Sequence, residues 1–164
     1  MSTRSQTLAE QFDQANTAAI AAIESFSDAQ WRATSRDEGW PVGFVAWHIG
    51  DAPFIVMDLV TIVANGRQLP PMTAEQLDEI NAQKLAAHAG AGKTETIDQL
   101  RRNGATIAAG IHALSDEQLD RTAALPMVGG RSLSAQQLIE AGIIGHIRGH
   151  LASMQAADGA NATT

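Results

Sequence analysis

Apolar residues recur at steps of three and four along most of this chain, and that period dictates helices. Leu8, Phe12, Ala15, Ala19, Ile23 and Phe26 form one such stripe, and Phe44, Val45, Ala52, Ile55, Leu59, Ile62 and Val63 form another. Ile97, Leu100, Gly104, Ile107, Ile111 and Leu114 keep register in a third. Residues so spaced share one side of an α-helix, so each stripe needs a neighbouring helix to cover it. No alternating run is long enough for a strand. The pattern predicts an all-α fold: four main helices plus short accessory ones, joined by loops of uneven length.

Local punctuation agrees with the stripes. Ser27 with Gln30, Thr73 with Gln76 and Ser134 with Gln137 have capping-box spacing, and the phrase around Ser115 to Gln118 repeats it. Pro41 suits a first helical turn, where its missing N–H does no harm. Pro53 falls inside the second stripe and should bend that helix near Ile49. Asn65-Gly66 closes it, Leu69-Pro70-Pro71 is a loop, and Gly90-Ala91-Gly92 separates a helix ending near His88 from the next. Gly129-Gly130 reads as part of a long loop before a last helix running from Ser134 to about Ala157. Residues 1–157 make one domain, and the small, polar residues 158–164 are expected to be disordered.

Composition narrows the function. The 18 acidic and 11 basic side chains give a net charge of −7, and no basic cluster exceeds Arg101-Arg102. Nucleic acid is therefore a poor partner, and so is an anionic membrane surface. The stretch Pro41 to Ala64 is apolar enough to resemble a membrane span, yet it carries His48, Asp51 and Asp58, which fit a buried bundle helix better. Met1 to Glu10 has no signal-peptide pattern, so the expected location is cytoplasmic. Cysteine is absent, which excludes thiolate ligands and a cysteine nucleophile.

The five histidines are not placed at random. His146 and His150 are spaced i, i+4, on the helix face that also carries Ile139, Ile143, Ile147 and Met154. His48 lies at the centre of the second apolar stripe. Three imidazoles thus point inward from two helices, where hydrogen-bond partners are few. One divalent ion would satisfy a nitrogen on each ring, and three nitrogen ligands with an open position is the layout of a catalytic site. Taken singly, each histidine also fits an ordinary hydrogen-bonded core residue. Gly142, Gly145 and Gly149 flank the histidine stripe; they imply close approach of either a helix or a ligand. Ile144 and Leu151 fall on the opposite side, as a candidate contact for a homodimer.

Gly39-Trp40-Pro41-Val42-Gly43 leading into Trp47-His48-Ile49-Gly50-Asp51 resembles the helix-two signature of the DinB-like superfamily. His146-Ile147-Arg148-Gly149-His150-Leu151 is similar to its C-terminal His-x-x-x-His. The resemblance covers essentially the whole chain. It implies an up-down-down-up four-helix bundle, commonly dimeric, holding zinc or nickel with His48, His146 and His150. It also implies kinship with thiol-dependent transferases and the mycothiol-dependent maleylpyruvate isomerase. Asp51, one turn after His48, is a candidate outer partner or base, although an ordinary polar rim residue would look the same. Asn81 is the pocket-lining candidate. His88 and His112 match no position of the family.

Two chemistries and one passive role follow from these residues. A metal held by neutral imidazoles can activate a thiol, and with no cysteine that thiol must be a small cofactor such as mycothiol or bacillithiol. The ion can instead activate water for hydrolysis of an ester, amide or lactone. The third reading is a non-catalytic metal or small-molecule binding module.

Overall fold

The computed structural model describes residues 2–157. The tail expected to be disordered, residues 158–164, lies outside the described residues. The elements follow the apolar stripes closely: α1 (Thr3–Ser25), α2 (Asp28–Arg32), α3 (Val42–Ala64), α4 (Ala74–His88), α5 (Lys93–His112) and α6 (Asp116–Asp120). A long C-terminal helix then runs through α7 (Ala135–Gln137), a π-helical segment (Leu138–Gly145) and α8 (His146–Gln155). All four capping boxes form, at Ser27/Gln30, Thr73/Gln76, Ser115/Gln118 and Ser134/Gln137. Each satisfies two backbone donors that a helix start would leave unpaired.

The bundle consists of α1, α3, α5 and the C-terminal helix. α5 packs against both α1 and α3, and the C-terminal helix packs against both from the other side. α1 and α3, consecutive long helices, therefore stand on a diagonal. Phe12, Ile23, Ile49, Leu100, Ile107, Ile111, Ile139 and Ile143 fill the centre, each nearly inaccessible to water. α4 is different in kind. It buries no residue and lies outside the bundle, against α3 and the turn at Pro126–Val128. α3 is long and apolar enough to cross a membrane, but half of its most apolar window is buried against the other helices. It runs without interruption through Pro53.

Three expectations need correction. The long loop holds a small antiparallel hairpin, β1 (Thr122–Leu125) paired with β2 (Arg131–Ser134), with Ala123 opposite Leu133. Strands of four residues are too short to display an alternating period. What makes the turn is Gly129 and Gly130, both in the left-handed region at φ 69° and 75°. The last helix is also not plainly α-helical. Its π segment, with i→i+5 bonding, shifts the helical faces relative to an α-helical count. Ile144, placed outward by that count, is 2% exposed and belongs to the core, and Leu151 packs against the same core. Ile144 is thus inside the bundle rather than on its surface. Finally, the glycines of this helix do not act together. A Cβ on Gly142 would stand 3.0 Å from Val56, whereas one on Gly149 would meet nothing within 4 Å. Close helix approach thus explains Gly142 alone.

Candidate metal centre

His48 projects from α3, and His146 and His150 from successive turns at the start of α8. The rings meet through their Nε2 atoms. His146 Nε2 lies 3.2 Å from His48 Nε2 and 2.9 Å from His150 Nε2. One ligand atom from each of the three lies within 4.8 Å of the others. Trp40 and Phe44 wall the His48 ring, with centroids 5.5 and 6.1 Å away. His48 is 5% exposed, and the other two rings are half-buried. The two helices thus bring together the three histidines singled out by helical spacing.

Burial makes charge expensive here. It is the main reason the His48 imidazolium is disfavoured, with its pKa pushed down to about 4; the nearby His150 and Lys84 charges add to this. Burial likewise pushes His146 down to about 3, helped by His150 and then His48. Both rings are neutral at physiological pH, which is the form that ligates metal.

The proton arrangement around the cluster shows whether an ion fits. A neutral imidazole has one N–H and one lone pair. The Nδ1 atoms of His48 and His146 are buried and have no hydrogen-bond partner among the described residues, while His150 Nδ1 is 2.5 Å from Glu38 Oε1. If the three Nε2 atoms all carry lone pairs, those lone pairs face one another at close range. If His48 or His150 donates from Nε2 instead, either His146 Nδ1–H is orphaned or the Glu38 contact loses its proton. One distribution gives each of these contacts a proton: His146 donates from Nε2 towards the bare Nε2 atoms of His48 and His150 while His150 Nδ1–H faces Glu38, and it leaves the buried His48 Nδ1–H without a partner among the described residues. Three converging imidazole nitrogens within 4.8 Å of one another, with a carboxylate on the far nitrogen of His150, are a donor set that fits a divalent metal.

Glu38 is the functional residue that helix-based reasoning missed. It stands in the loop between α2 and α3, just before Gly39, whose φ of +68° turns the chain back towards α3. Its second oxygen, Oε2, accepts from the Ser153 hydroxyl at 2.5 Å. Burial alone would raise its pKa, but hydrogen bonds, above all from Ser153 and then Ser35, hold the carboxyl below its usual range. The signal available in the sequence was an acidic residue one position before the Gly-Trp-Pro phrase.

The remaining candidates lie to one side. The Asp51 carboxylate is paired with the Lys84 ammonium of α4, each side chain about a quarter exposed. Asn81 is half-buried on α4, three residues before Lys84, and has no hydrogen bond to the histidines. His88 is stacked on Trp47 with centroids 3.8 Å apart, so α4 is pinned to α3 by one ion pair and one aromatic pair.

A family model of the DinB superfamily matches residues 11–154, a span that includes all three histidines. The chain belongs to the DinB superfamily. Three solved structures share its fold. YfiT from Bacillus subtilis, described as a probable metal-dependent hydrolase with an unusual four-helix bundle topology, is 17% identical at a TM-score of 0.72. That match covers 94% of this chain and 86% of YfiT. The mycothiol-dependent maleylpyruvate isomerase is 14% identical at a TM-score of 0.71 over 94% of this chain, which spans only 60% of the isomerase. A protein from Clostridium difficile 630 is 16% identical at a TM-score of 0.66, covering 92% of this chain and 93% of its own. No curated protein matches the sequence. For this DinB protein the shared fold and the three-histidine cluster together fit metal binding.

Proposed function

We propose that this DinB protein holds one zinc or nickel ion with His48, His146 and His150 and transfers or isomerises a small molecule with the help of a low-molecular-weight thiol. The observation that carries this reading is the composition of the cluster. Among the described residues it contains three neutral-type ligands and no acidic or thiolate fourth. When bound, the ion would serve as a Lewis acid able to acidify a coordinated thiol or water, to a pKa of about 7 in the case of water. The chain itself has no cysteine, so the thiol is a cofactor of the mycothiol or bacillithiol type. His48 is fixed on the bundle side by Trp40 and Phe44, which exclude water there. Glu38 fixes His150 from the loop side.

Hydrolysis by activated water is the less well supported reading, because it needs a free base near the cluster. Asp51 is engaged by Lys84, and both oxygens of Glu38 have partners. Isothermal titration of the zinc-loaded protein with mycothiol and bacillithiol tests the thiol reading. Saturable binding of one of them is expected, and heat from neither would defeat it. A passive binding module would leave a cobalt-substituted spectrum unchanged when azide or a thiol is added, whereas the proposed site responds. The same reading makes the protein a cytoplasmic homodimer acting on a small-molecule substrate. Its dimeric part fails if sedimentation at low micromolar concentration shows only monomer.

A further inference from the structure

The loop between α2 and α3 is closed on itself and then stapled to α8. Ser35 N–H donates to the Trp40 carbonyl at 2.8 Å, and Val42 N–H donates to the Ala33 carbonyl at 2.9 Å. Trp40 N–H donates to Ser35 Oγ at 3.2 Å. The tip of this closed loop then rests on Ser153, which is fully buried. Arg36 N–H points to the Ser153 carbonyl at 3.4 Å, and Asp37 N–H donates to Ser153 Oγ at 3.0 Å. The Ser153 hydroxyl, having accepted that bond, donates its own proton to Glu38 Oε2 at 2.5 Å. One oxygen of Glu38 is thus held by Ser153, and the other meets His150 Nδ1 at 2.5 Å. His150 and Ser153 are three residues apart on α8, so one helix face carries both the ring and the clamp that holds its partner.

We propose that Glu38 is a positioning residue that locks His150 in the Nδ1–H tautomer and so presents its Nε2 lone pair to His48 and His146. This inference rests on the metal reading above. An ionised carboxylate only accepts, so the proton of a neutral His150 must lie on Nδ1. Nε2 is then bare, and the ring is aimed before any ligand arrives. Among the described residues His48 and His146 have no such device, since their Nδ1 atoms lack a partner there. His150 is thus the pre-set member of the three, and the proton positions of the other two follow from whatever binds between the rings. Outer partners of this kind are typically worth about 10- to 100-fold in metal affinity.

The test uses the full chain labelled with 15N-histidine and three variants, Glu38→Ala, Glu38→Gln and Ser153→Ala, each checked for folding by circular dichroism. Long-range proton–nitrogen spectra of the metal-free protein read the tautomer of each ring, and competition with a chelator reads zinc affinity. In the wild type His150 is expected in the Nδ1–H form. Glu38→Ala should move it towards the other tautomer and weaken zinc binding by about 10- to 100-fold. Glu38→Gln keeps an acceptor for Nδ1–H and should fall between the two. Ser153→Ala removes the clamp on Glu38 Oε2 but leaves both partners of the Glu38–His150 contact in the chain, so its loss should be smaller than that of Glu38→Ala. An unchanged His150 tautomer in Glu38→Ala, or zinc affinity within twofold of the wild type, overturns the proposal. So does an equal loss in Ser153→Ala, which would make the effect one of loop docking. A wild type that binds no zinc defeats the metal reading instead, and the tautomer spectra then decide the lock by themselves.

Discussion

His48 Nε2 lies 3.2 Å from His146 Nε2, although 98 positions separate the two residues in the chain. Holding both rings neutral and buried has a measurable consequence for the metal-free protein. Burial puts their pKa values at about 4 and about 3, below the ordinary histidine value of 6.5. The unfolded chain therefore takes up protons that the folded one refuses. Stability contributed by these rings is complete above pH 6.5 and falls as the pH drops from 6.5 towards 4. The expected loss is on the order of a few kcal/mol. Denaturant unfolding of the metal-free protein between pH 8 and pH 4.5 should show it, and replacing His146 with Phe should flatten the slope. A flat profile in the wild type would contradict the buried, neutral state of the rings.

The Asp51–Lys84 pair should matter little to the metal. Both side chains are part-exposed, and such pairs contribute roughly 0–1 kcal/mol. Asp51→Asn and Lys84→Met are each expected to shift thermal stability only slightly and to retain the wild-type metal content. Loss of metal from Asp51→Asn would bring Asp51 into the site after all.

Two glycines should respond in opposite ways to alanine. A Cβ at Gly104 would stand 2.3 Å from Asn16 Nδ2, and that amide is committed to the Leu100 carbonyl at 3.1 Å. Gly104→Ala should therefore over-pack the α1–α5 interface and destabilise the protein by about 1–3 kcal/mol. Gly149 faces open space, so Gly149→Ala should be neutral or stabilise by up to about 1 kcal/mol through helix propensity. Paired melting curves check both, and a stable Gly104→Ala would mean that the α1–α5 contact is looser than described.

What was legible in the sequence was whatever is decided within a few residues. The capping boxes are local hydrogen-bonding devices, so Ser27, Thr73, Ser115 and Ser134 could be read directly. The inward faces of His48, His146 and His150 follow from helical period combined with apolar neighbours, and the cluster forms as that period implies. The π segment was not legible, because i→i+5 bonding leaves no simple pattern, and it misplaced Ile144. Glu38 was not legible for another reason. Its contact with His150 spans 112 positions and depends on how a loop closes, whereas Asp51 drew attention merely by being one turn from His48. Neighbourhood along a helix is visible in a sequence; a carboxylate delivered by a loop is not.

Elemental analysis of the purified wild type beside His48→Ala tests the central claim most directly. The three-histidine centre predicts close to one equivalent of zinc or nickel per chain in the wild type and little in the variant, with both proteins folded. Stoichiometric metal retained by His48→Ala would contradict it.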